Sequence, residues 1–169
     1  MYPEDHRDQQ YFENKKFINF LSEWSSFHLI IADDDEDDIE LFEKAFLEIG
    51  PDFVISKANG SDELLTKLLE TNPLPDLVIL DLNMPAKNGF EILQEIRFHK
   101  KLSDIPVMVY STTANTEQVH KTFELGANMY LQKPNNFQGI KSLIKTILSM
   151  NPALYIPQAT KESFLFKVQ

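Results

Sequence analysis

Residues 77–90 read LVILDLNMPAKNGF. Leu77, Val78, Ile79 and Leu80 run without a polar break into Asp81, as a strand buried on both faces of a parallel sheet does. Asn83, Met84, Pro85, Asn88 and Gly89 supply a loop-forming composition, and an apolar pattern at helical spacing resumes at Phe90. This order puts the Asp81 carboxylate at the carboxyl end of a buried strand, where open α/β sheets hold their ligands. Capping the next helix is the blander role open to Asp81. It loses weight if other acids and a lysine end neighbouring strands.

Upstream, Phe27 to Ala32 is a short apolar strand followed by six acids in succession, Asp33 to Asp38. Asp37 and Asp38 suit a helix N-terminus, where negative charge meets the positive end of the helix dipole. Asp33 and Asp34 lie directly at the strand end, where bunched carboxylates repel one another unless a cation or proton compensates them. Hard oxygen ligands of this kind suit Mg2+. A helix follows from about Asp37 to Ile49, stopped by Gly50-Pro51, then a second strand from Phe53 to Lys57. Asn59-Gly60-Ser61 reads as turn and cap for a helix carrying Leu64, Leu65, Leu68 and Leu69, which Asn72-Pro73 ends.

Downstream, Phe90, Leu93 and Ile96 mark a third helix to about Phe98, and Val107 to Tyr110 form a fourth strand ending in Ser111-Thr112-Thr113. Hydroxyl residues so placed are often helix caps. Asn115 or Thr116 can cap the fourth helix, leaving Ser111 free. That helix ends near Gly126; Asn128 to Gln132 is a short fifth strand terminating in Lys133-Pro134, and the fifth helix runs from about Phe137 to Ser149. A lone lysine is most often solvated. One that ends a strand at the same pole as several carboxylates is better read as their counter-ion.

Five strand–helix alternations predict an α/β fold, a doubly wound five-stranded parallel sheet of flavodoxin-like order 2-1-3-4-5 with helices on both faces. Residues 27–150 form the domain. Residues 1–26 are an N-terminal extension with a short amphipathic helix over Tyr11 to Trp24, expected to pack its aromatic side on the domain. Residues 151–169 are a tail whose Phe164-Leu165-Phe166-Lys167-Val168 stretch can dock on the body or pair along a sheet edge, docking being the expectation.

At 169 residues the chain has room for one well-buried domain, and 43% hydrophobic with 25% charged residues is the composition of a folded globular protein. A formal charge of −10 argues against direct binding of nucleic acid or of anionic membranes. The absence of cysteine excludes disulfides and thiolate metal sites, and the four histidines, His6, His28, His99 and His120, lack metal-ligand spacing. Neither a secretory leader nor a membrane-spanning run is visible, so a cytoplasmic location is expected.

Asp33, Asp34, Asp81, Ser111 and Lys133 thus converge at one rim of the sheet. Three carboxylates, a backbone carbonyl after Asp81, a hydroxyl and an ammonium suit a divalent cation and a phosphoryl group. Asp81 is then the nucleophile, forming an acyl phosphate, with Lys133 and Ser111 holding phosphoryl oxygens.

These features resemble a response-regulator receiver domain of two-component signalling over roughly Phe27 to Met150. The matching elements, in order, are Asp33-Asp34, the LDLNMP loop with Asp81, Ser111-Thr112, Tyr130 and Lys133-Pro134. The layout is similar to single-domain receivers that partner phytochrome-type histidine kinases. The resemblance implies that Asp81 accepts a phosphoryl group from a kinase or phosphotransfer protein. It implies Mg2+ bound directly by Asp34 and Asp81, through water by Asp33, and by the main-chain oxygen of Asn83. It also implies a switch in which Ser111 turns toward the phosphoryl group while Tyr130 rotates from exposed to buried, and a cis bond between Lys133 and Pro134. Ser111 stands where threonine is commoner, and Asn83 and Thr113 occupy positions that tune dephosphorylation.

The expected function is a phosphoacceptor response regulator that catalyses only its own aspartyl phosphorylation and dephosphorylation. It signals to a downstream protein through the face of the fourth helix, fifth strand and fifth helix, with no DNA-binding output domain, and its extensions are compatible with a homodimer. Two alternatives are a Mg2+-dependent phosphatase or phosphotransferase working through an aspartyl phosphate, and a degenerate receiver acting as a scaffold. The first needs a second acid beside the nucleophile, where this chain has Asn83; the second predicts no Mg2+ dependence.

Overall fold

The buried strands appear where continuous apolar runs demand them. The computed structural model describes residues 27–49, 53–85, 87–149 and 161–167. Its elements are β1 (His28–Ala32), α1 (Glu36–Ile49), β2 (Val54–Ala58), α2 (Ser61–Glu70), β3 (Leu77–Asp81), α3 (Gly89–Phe98), β4 (Val107–Ser111), α4 (Thr116–Glu124), β5 (Met129–Gln132), α5 (Phe137–Ser149), α6 (Lys161–Phe164) and β6 (Leu165–Phe166). The expected helix over 11–24, the stop at Gly50-Pro51 and the tail up to residue 160 lie outside the described residues.

All strand pairs are parallel and the order is β2-β1-β3-β4-β5-β6. The five expected strands stand in the expected order, and the sheet gains a sixth. The short β6 pairs along β5, Leu165 beside Tyr130 and Phe166 beside Leu131, while Phe164 just before it is buried. The tail therefore both docks and pairs, where docking alone was expected.

Successive strand residues point to opposite faces, which makes two cores from one sheet. Leu29, Ile31, Leu77, Ile79, Met108 and Leu131 meet Phe42 and Phe46 of α1 and Leu143, Ile144 and Ile147 of α5 on one side. Ile30, Ala32, Val78, Leu80, Val107 and Val109 meet Leu64 and Leu68 of α2 and Ile92, Leu93 and Ile96 of α3 on the other. Every residue of β3 and β4 is buried, whereas Val54 on the edge strand β2 is 52% exposed.

Arg97 at the end of α3 staples the far pole. Its guanidinium donates to the carbonyls of Gly126, Ser103 and Ile105 and to Asn128 Oδ1, at 2.8–3.2 Å. Asn128 Oδ1 also accepts from the Val107 amide at 2.8 Å. Burial lowers the Arg97 pKa from its ordinary value, and the carbonyl fork compensates the desolvated charge.

Candidate functional site

The pairing of β4 with β5 and of β1 with β3 brings the strand ends to one rim. Lys133 follows β5, and its amide donates to the Ser111 carbonyl at 2.8 Å, which carries the lysine in beside β4. Its ammonium then reaches Asp33 Oδ2 at 2.6 Å, Asp38 Oδ2 at 2.8 Å and Asp81 Oδ2 at 3.2 Å. The Lys133 and Asp81 side chains are 8% and 6% exposed, and Asp33 only 1%. The ammonium also lies 5.2 Å from the Tyr110 ring centre, and burial raises the Tyr110 pKa.

Burial pushes the Asp33 carboxyl up to about 6, even though Lys133 hydrogen bonding opposes the rise. Burial alone would lower Lys133. Its hydrogen bonds to Asp33 and Asp38 outweigh that and hold it above the ordinary lysine value. Side-chain oxygens of Asp33, Asp34 and Asp81 lie within 4.8 Å of one another, with Asp34 exposed. Three carboxylates thus face one ammonium, with Asp34 beside them. An all-oxygen donor set with excess negative charge fits a hard divalent cation.

The blander roles fall to other residues. Asn88 caps α3, accepting from the Glu91 amide while Glu91 accepts from the Asn88 amide, so Asp81 is not its cap. Asp81 Oδ1 instead accepts from the Asn83 amide at 3.1 Å. Asn115 caps α4, as expected. Ser111 is released from that duty, and its Oγ is buried with no well-formed hydrogen bond, only the Tyr130 hydroxyl near it.

Two expectations need correction. The Lys133–Pro134 bond is trans; the cis bond among the described residues is Asn72–Pro73. Trans is intrinsically favoured even before proline, and with it Lys133 already makes all its contacts in the site. Tyr130, expected to move between an exposed and a buried position, is fully buried here; its hydroxyl donates to the Thr113 carbonyl at 2.6 Å. The physical reason is the sixth strand, which sets the Phe164 ring 6.5 Å from Tyr130 and 5.2 Å from Phe123. Burial raises the Tyr130 pKa from its usual value.

The second concerns Asp38, assigned only to the helix dipole. Asp35 does the capping, its Oδ1 accepting from the Asp37 and Asp38 amides, and Asp38 turns onto Lys133. The signal was present, since side chains on a helix tilt toward its N-terminus and here back over the strand ends. Gly89 was read only as a loop residue. A Cβ there would stand 2.6 Å from both the Asp81 carbonyl oxygen and the Leu82 Cα, so glycine lets α3 start directly against the end of β3.

Comparisons with known proteins agree with this geometry. A family model described as the response regulator receiver domain matches residues 29–145. Response regulator Rcp1 of Synechocystis sp. is 40% identical over 80 residues, 47% of this chain and 54% of Rcp1, so the chain's match spans little more than half that relative's length. The structure of phosphorylated cyanobacterial phytochrome response regulator RcpA is similar, with a TM-score of 0.67 and 28% identity over 72% of this chain and 91% of RcpA. The Mn2+-bound form of Rcp1 gives a TM-score of 0.66 and 27% identity over 79% of this chain and 97% of that one. No described helix is long and apolar enough to cross a membrane.

Proposed function

Because the chain belongs to the response regulator receiver family, we propose that it takes a phosphoryl group onto Asp81 and signals through the face of α4, β5 and α5. One observation carries the reading: the Asp81 carboxylate, 6% exposed, is held by the Lys133 ammonium beside the acids Asp33 and Asp34.

An Asp81 oxygen attacks the phosphorus of a phosphohistidine on a sensor kinase or phosphotransfer protein. The O–P bond forms, the N–P bond breaks, and its electron pair stays on the departing imidazole. The product is an acyl phosphate. Lys133 neutralises a phosphoryl oxygen, and the buried Ser111 Oγ, which has no well-formed hydrogen bond, turns to another. Asp33, Asp34, Asp81 and the main-chain oxygen of Asn83 would hold Mg2+, which supplies further charge neutralisation to the phosphoryl oxygens. The Mn2+-bound form of Rcp1 supports a divalent cation in such a site.

Phosphorylation then biases a two-state element, because the Ser111 contact exists only with the phosphoryl group present. Ser111 ends β4, opposite Gln132 of β5, two residues from Tyr130. A downstream protein reading this face meets β6, which lies along β5 beside the buried Tyr130 and Phe164, as well as α4.

The test is intact mass after incubation with acetyl phosphate and Mg2+, comparing wild type with Asp81→Asn and adding an EDTA control. The expected result is a gain of one phosphoryl group in the wild type alone and only with Mg2+. No adduct from acetyl phosphate or from a phosphorylated kinase domain refutes the proposal.

A further inference from the structure

An ammonium has three N–H donors. Those of Lys133 face three carboxylates, Asp33 at 2.6 Å, Asp38 at 2.8 Å and Asp81 at 3.2 Å. If Lys133 holds a phosphoryl oxygen, one of the three must let go. Asp33 is 1% exposed and cannot turn out to solvent, and Asp81 stays because it carries the phosphoryl group. Asp38 differs from both. Its side chain is 38% exposed on the first turn of α1, so a released carboxylate there regains its hydration. A phosphoryl group arriving on the same ammonium also repels it, as like charges do at short range.

We infer that Asp38 is the resting occupant of the phosphoryl-oxygen position on Lys133. It is a positioning residue that leaves when a phosphoryl group arrives, and it sets how readily the site accepts one. The inference rests on the reading of Asp81 as phosphoacceptor. Its neighbours do not share the role: Asp37 is exposed on the same turn, and Asp35 caps the helix. Asp34 faces the acid cluster, with no ion pair to Lys133.

The experiment uses the full chain with Mg2+ throughout and titrates fluoroberyllate, an anionic phosphoryl mimic, by 19F NMR. Asp38→Asn keeps the side-chain shape and removes the charge. It should bind about fivefold more tightly than wild type, the scale of one half-exposed charge contact. Asp38→Ala should do likewise, Asp38→Glu should return to wild-type affinity, and Asp37→Asn should match wild type. Phosphoryl uptake from acetyl phosphate, followed by intact mass, should rise in the same variants. A wild type that takes up neither group refutes the phosphoacceptor reading, and the inference with it. A wild type that takes up both, with Asp38→Asn equal or weaker, overturns the role of Asp38 alone. An equal gain in Asp37→Asn assigns the effect to net charge and also overturns it.

Discussion

Replacing Lys133 by methionine removes the one cation from the group formed by Asp33, Asp38 and Asp81, and the cost should depend on pH in a way the structure dictates. With Lys133 present, burial already holds the Asp33 pKa at about 6 against an ordinary 3.8. Without the ammonium that pKa rises further. A carboxyl whose folded pKa is raised favours folding below its unfolded pKa, and the benefit is lost as pH rises through the folded one. The added penalty is bounded, because Asp33 can always take up a proton instead of remaining a buried charge. The bound is about 1.4 kcal/mol for each pH unit above 6. At about pH 8 that allows roughly 3 kcal/mol, at the lower edge of the range for breaking a buried ion pair, or on the order of 10 °C in Tm. At about pH 5.5 the Asp33 contribution falls close to zero. Urea unfolding of wild type and Lys133→Met at both pH values measures the difference. Equal destabilisation at the two pH values, or none at about pH 8, would refute the electrostatic account and leave Lys133 as a packing residue.

Gly89→Ala should cost about 1–3 kcal/mol, the usual range for forcing an extra methyl into filled space, because its Cβ meets the backbone of Asp81 and Leu82. Phosphoryl uptake on Asp81, followed by intact mass, should fall with it. Phe164→Ala should release residues 161–167 rather than unfold the domain, the global loss being capped by what docks that short segment. Limited proteolysis should then cut there, and the Tyr130 pKa, raised by burial, should drop toward its ordinary value in a spectrophotometric titration. Arg97→Met leaves the carbonyls of Gly126, Ser103 and Ile105 without their donor. The expected loss is about 2–4 kcal/mol in urea unfolding, and Arg97→Lys should recover little of it because an ammonium cannot reproduce the fork.

The sequence made Asp33, Asp81, Ser111 and Lys133 legible for a single reason. A strand buried on both faces is a continuous apolar run, so the polar residues where it stops mark its end, Lys133 lying one place beyond Gln132, and the parallel order then brings those ends together. Asp38 escaped because a local explanation, the helix dipole, already accounted for an acid on that turn, and its contact partner lies 95 residues away. Gly89 escaped because close backbone approach leaves no pattern in a loop already rich in turn residues. Edge pairing by the tail is one of two options in the sequence because two residues carry no period that could decide between them, and the burial of Tyr130 beside Phe164 follows from that pairing.

These omissions share a cause with the chemistry. Along the strands, local preference and global fold agree, and alternate residues fill two apolar clusters. At the rim they conflict. Asp33 is kept buried at a cost of roughly 3 kcal/mol, the distance of its pKa from the ordinary value expressed as energy, and the Ser111 hydroxyl is buried with no well-formed hydrogen bond, only the Tyr130 hydroxyl near it. A fold selected for stability alone would have no reason to keep either. Groups held against their own solvation are poised to gain from a ligand that supplies the missing charge or acceptor. A divalent cation would relieve the first and a phosphoryl oxygen the second. The same two departures from local rules that hid the site's details are therefore the strongest physical argument for what it binds.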